Sequence, residues 1–127
     1  MVAHTNHAIL ELANVLSTLK DAETGQRGYL LAENDAYLQP YLDATARIQS
    51  ELASLKGRLI AEPDQQARLA VLEQTIALKL SELDRTITLN KTGDRAAALA
   101  LIGSDNGKRF MDEARAQIAA MQTAEYG

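Results

Sequence analysis

The sequence predicts an all-α fold, an elongated antiparallel up-down-up-down four-helix bundle, and three observations carry that prediction. Apolar residues recur at three-four spacing along four long segments, no segment alternates with period two, and the helix breakers fall between those segments or at one point in the last. Composition agrees. Hydrophobic residues make up 46% of the 127-residue chain and aromatics only 4%, four Tyr and one Phe. Few runs remain from which strands are usually built.

The first segment carries Ile9, Leu12, Leu16 and Leu19 on one stripe, which continues through Glu23 and Gln26 to Leu30. Residues 32–35 break it, and Asn34 or Asp35 can accept from the free N–H groups of the next helix start. The second stripe runs Leu38, Tyr41, Thr45, Ile48, Leu52, Leu55 and Leu59. Pro40 lies early in it, where a missing N–H does least harm, so the first turn is expected to be kinked or separate. Glu62-Pro63-Asp64 opens the third segment, with Pro63 pre-set for a first helical position and acids facing the positive end of the dipole. Its stripe is Leu69, Leu72, Ile76, Leu80, Leu83 and Ile87.

Lys91-Thr92-Gly93-Asp94 reads as a stop and a new cap, with Gly93 supplying a left-handed residue. The fourth stripe is Met111, Ala114, Ile118 and Met121, and Gly103-Ser104-Asp105-Asn106-Gly107 interrupts the segment before it. The expected helices are therefore 4–32, 35–61, 63–91 and 94–126, the last kinked near 103–107. At ~1.5 Å per residue each is on the order of 40–50 Å long, and short loops make neighbours antiparallel. Both ends of the chain then emerge at one end of the rod.

A chain of this length is expected to be one domain, 1–127, able to bury a core without metal or disulfide. Seventeen acidic and 13 basic residues, a net charge of −4, are interspersed without a basic patch, which argues against nucleic acid. The absence of cysteine removes disulfides and thiolate metal sites but fixes no compartment. No stretch has the ~18 apolar residues of a membrane span. The apolar repeat is already in phase at Ile9 and still in phase at Met121, which reads as a fragment of a longer protein.

Signs of catalysis are missing from the sequence. His4 and His7, at i, i+3 near the N-terminus, have no clustered third ligand and read as solvated residues. No Glu-x-x-His pairs, Gly-rich phosphate loop or nucleophile elbow occur, so neither an enzyme nor a cofactor is expected.

One stretch departs from ordinary helix composition, Asp21-Ala22-Glu23-Thr24-Gly25-Gln26-Arg27-Gly28-Tyr29. Each glycine inside a helix costs about 1 kcal/mol against alanine, so Gly25 and Gly28 are expected to admit a close neighbour. Glu23 and Gln26 on the inward stripe require partners. Counting along the rod places Ser104, Asp105 and Lys108 of the last segment, and Tyr41 and Thr45 of the second, at the depth of Glu23, Gln26 and Arg27. These eight residues are the candidate polar layer, either a network that fixes helix register or a ligand or relay site. The 103–107 break is the expected counterpart of the two glycines.

The same stretch, with Tyr37-Leu38 and Pro40-Tyr41 following it, resembles the signature of the CHASE domain, third class, and the resemblance extends over nearly the whole chain. It implies an extracytoplasmic, periplasmic sensory module of a bacterial inner-membrane receptor. Such a module lies between two transmembrane helices and ahead of a histidine kinase, diguanylate cyclase or chemoreceptor output domain. The resemblance also implies tethering to the membrane, a homodimeric receptor and a small-molecule or protein stimulus, and it supplies no ligand residues. The alternative left open by the residues alone is a cytoplasmic helical bundle that binds another protein.

Overall fold

A computed structural model describes residues 2–126, with side chains from residue 6 onward except that of Asp105. The chain forms α1 (Val2–Ala32), a short 3-10 turn (Asp35–Leu38), α2 (Gln39–Arg58), α3 (Pro63–Lys91), α4 (Arg95–Ile102) and α5 (Asp105–Tyr126). No strand occurs among the described residues. α4 and α5 together make the fourth arm of the bundle, so the expected kink is a full break.

The boundaries follow local chemistry. Glu33, at φ 50°, ends α1 in the left-handed region, and its N–H reaches the Tyr29 carbonyl at 2.8 Å. Asn34 accepts from the Ala36 N–H at 2.9 Å, and Pro40 sits in the first turn of α2, just after the separate 3-10 turn. Pro63 opens α3, and Gly93, at φ 90°, closes it. Asp94 then caps α4 through the Ala97 N–H at 3.1 Å. Gly103 ends α4, and the Ser104 hydroxyl donates to the Leu101 carbonyl at 2.7 Å.

α1 packs on α2 and α5 and reaches α3 across the bundle, while α3 packs on α4 and α5. Two cross-links fix the end that holds both termini. Gln122 donates to the Ile9 carbonyl at 3.2 Å, and Gln65 to the Met121 carbonyl at 2.9 Å. At the other end Arg95 donates to the Leu30 carbonyl at 2.9 Å, a cation at the negative end of α1.

The buried faces follow the predicted three-four spacing but are shifted by one residue at several positions. α1 buries Ala8, Leu12, Val15, Thr18, Leu19, Ala22, Gln26, Tyr29 and the expected Leu30, while Ala8 and Val15 replace Ile9 and Leu16. α2 buries Ala44 in place of the expected Thr45. α3 buries Gln65, Leu69, Leu72, Thr75, Ile76, Lys79, Leu83, Thr86 and the expected Ile87, so Lys79 takes the place expected of Leu80. On α5 the predicted Met111, Ala114, Ile118 and Met121 are all buried.

The apolar core is in two parts. The larger, near the termini, extends as far as Leu19, Ile48, Ile76 and Met111. The smaller, near the opposite end, begins at Ala22, Ala44 and Leu83. Lys79 lies between them on α3, and Leu80 packs against both.

Candidate functional site: a buried lysine between α1, α3 and α5

Lys79 is 2% exposed, and its ammonium lies between three helices. It stands 2.7 Å from Glu23 Oε2 on α1 and 3.1 Å from Glu82 Oε1 on its own helix, and it donates to the Gly107 carbonyl on α5 at 3.2 Å. An ammonium has three donors, and three acceptors meet them. One turn above, Gln26 donates to the Thr86 hydroxyl at 2.7 Å, and that hydroxyl donates to the Leu83 carbonyl at 2.6 Å. The layer therefore ties α1 to α3 twice and α3 to α5 once.

A cavity of about 230 Å³ opens from this layer. Glu23, Lys79 and Glu82 form its inner wall, and Arg27, Ser104, Lys108, Asp112 and Arg115 also line it. Arg27 is largely exposed and lies 3.8 Å from Glu23, beyond hydrogen-bond distance. Lys108 and Arg115 meet Asp112 at 2.8 and 3.1 Å. The Asp112 carboxyl is held below its usual range, chiefly by the Lys108 hydrogen bond.

Five of the eight predicted layer residues, Glu23, Gln26, Arg27, Ser104 and Lys108, line this one cavity. The side chain of Asp105 lies outside the described residues. Tyr41 and Thr45 do not join. Tyr41 is buried in the smaller apolar core, and burial, with the Asp84 carboxylate adding to it, pushes its phenol up to about 12. Thr45 donates to the Leu42 carbonyl of its own helix at 2.9 Å. Depth along the rod puts both at the right level, but direction around the helix axis turns them elsewhere.

The glycines also divide. A Cβ on Gly25 would stand 2.7 Å from the Tyr41 backbone nitrogen, so α2 approaches there, whereas nothing lies within 4 Å of one on Gly28. The counterpart of Gly25 is thus the start of α2, not the 103–107 break. A Cβ on Gly107 would meet the Glu82 carboxylate at 2.7 Å. His7 is exposed, with Nδ1 3.4 Å from Arg58, and the His4 side chain lies outside the described residues. No metal-competent group of His, Cys, Asp or Glu occurs among the described residues.

Sequence reasoning missed Lys79 and Glu82. For Lys79 the signal was the count, because 65, 69, 72, 76, 79, 83 and 86 alternate four and three, whereas no spacing pointed to Glu82.

The solved structure of the Rhodopseudomonas palustris histidine kinase HK9 sensor domain is similar to this chain, with a TM-score of 0.88 at 23% identity over 95% of this chain and 94% of that one. At that identity the likeness speaks for the fold. No curated protein sequence matches. The family model for the CHASE3 domain matches residues 1–127, and the chain belongs to the CHASE3 domain family, as a sensory signalling module.

Proposed function

We propose that this module is the periplasmic part of a bacterial transmembrane receptor, set between two membrane-spanning helices that continue α1 and α5. It relays a stimulus through those two helices to a histidine kinase, diguanylate cyclase or chemoreceptor output domain, in a receptor that works as a homodimer. The observation that carries this reading is the pairing of α1 with α5, which the Gln122–Ile9 hydrogen bond extends to the end holding both termini. A shift of one helix against the other by ~1–2 Å would be delivered there as a displacement between neighbours. No helix among the described residues is long and apolar enough to cross a membrane.

The gene on either side tests the topology: apolar segments of about 20 residues are expected on both flanks, and their absence overturns it. Cysteines introduced at Ala13 and Ala119, which line one groove between α1 and α5, test the relay in the intact receptor. Cross-linking yields should differ between signalling states. Equal yields would rule out a moving α5.

A further inference from the structure

Among the described residues, cations outnumber carboxylates in the cavity lining. The lining includes four cations, Arg27, Lys79, Lys108 and Arg115, against three carboxylates, Glu23, Glu82 and Asp112, a sum of +1. The inner wall consumes one cation, because the Lys79 ammonium is saturated by Glu23, Glu82 and the Gly107 carbonyl. At the mouth Arg27 projects from α1, and Lys108, which pairs with Asp112 at 2.8 Å, projects from α5. Arg27 is the cation there whose only carboxylate neighbour, Glu23, is already engaged by Lys79 at shorter distance. A guanidinium so placed presents paired N–H donors matched to a carboxylate.

We propose that this cavity binds a small organic acid, its carboxylate held between Arg27 of α1 and Lys108 of α5. The volume, about 230 Å³, is below the usual span of drug-sized pockets, and selects a compact ligand. The cavity wall is largely polar and charged, so a short carboxylic acid fits better than a long apolar one. Such a ligand would add a second charged link between the first and last helices, beside the one Lys79 makes from α3. This deepens the sensory reading and rests on it only for its biological meaning, since binding is measured on the isolated chain.

The test is a titration of the 127-residue chain at constant ionic strength, with acetate, succinate, inorganic phosphate and ethylammonium as probes, followed by amide chemical shifts. One of the two carboxylates should give saturable shifts centred on residues 26–28 and 104–108, and ethylammonium none. Arg27→Gln should weaken that binding about tenfold or more while leaving the thermal midpoint near wild type, as expected for an exposed side chain that makes no hydrogen bond. Lys108→Gln should weaken it as well. Binding of phosphate without either carboxylate would overturn the assignment of ligand class. Absence of saturable shifts with both carboxylates, equal binding of ethylammonium, or unchanged affinity in Arg27→Gln would overturn the site. None of these results would touch the flanking-span test of the receptor reading.

Discussion

Replacing Lys79 by methionine removes the charge while nearly preserving the volume, so cavity formation contributes little to the outcome. Three acceptors lose their donor at once. The Glu82 side chain is 9% exposed and that of Glu23 22% exposed, so water solvates the second better than the first. The Gly107 carbonyl, on a buried residue, is left without the lysine hydrogen bond. Removing one partner of a buried ion pair typically destabilises by about 3–5 kcal/mol, and two stranded carboxylates place this case in that range. For a chain of this size the thermal midpoint should fall by roughly 10–20 °C. Glu23→Gln, which leaves Lys79 paired with Glu82, should destabilise by only about 1–3 kcal/mol. Adding Glu82→Gln to Lys79→Met should recover part of the loss, because the double variant no longer strands that charge. Urea and thermal unfolding of the four proteins measure all of this. A Lys79→Met variant within ~0.5 kcal/mol of wild type would refute the claim that the ammonium holds the layer together.

Gly25→Ala should destabilise by about 1–3 kcal/mol, since its methyl meets α2 backbone at 2.7 Å, while Gly28→Ala, with open space around it, should stabilise by up to about 1 kcal/mol. Thermal unfolding of the pair checks both signs. Leu52→Ala and Leu83→Ala, both in the core, should each lose about 2–5 kcal/mol, against ~0.5 kcal/mol or less for exposed Lys56→Ala, read from urea midpoints. The Tyr41 phenol, pushed up to about 12, keeps its proton in the folded chain where an unfolded tyrosine has lost it. Its contribution to stability is therefore fully present below pH 10 and is lost as pH rises from about 10 to 12, which unfolding curves against pH should show and Tyr41→Phe should remove.

The helices and their ends were legible because each rests on local chemistry. Pro63, Gly93 and Asp94 do in the fold what such residues do in any helix. The inward face was legible to within one residue. Choosing the more apolar of two neighbours selects Leu80 over Lys79 and Ile9 over Ala8, whereas packing follows spacing and turns the less apolar residue of each pair inward. A lysine at such a position is excluded unless carboxylates from other turns and helices come to meet it, and those partners become visible only once the helices are packed. The polar layer itself was legible from Glu23 and Gln26, because polar residues on an inward stripe require partners wherever they lie.

The position of this layer bears on how a stimulus could travel. Apolar packing is non-directional, so a helix sliding a fraction of a turn along a greasy seam exchanges one set of contacts for similar ones. Charged hydrogen bonds are directional, and the Lys79 ammonium has no spare donor with which to follow Glu23 or Gly107 if either moves away. The layer therefore favours one register of α1 and α5 against α3, and any other register must re-pair its charges. That is the property of a two-state element, in which small displacements are resisted up to a threshold and then adopted as a whole. A carboxylate arriving between Arg27 and Lys108 would act where it biases that choice, since both residues lie within about one turn of the groups that bond Lys79, Arg27 of Glu23 and Lys108 of Gly107. On the proposed relay, the close-packed larger core below, running from Leu19 and Met111 down to Ala8 and Met121, would carry the chosen register to the end where α1 and α5 meet.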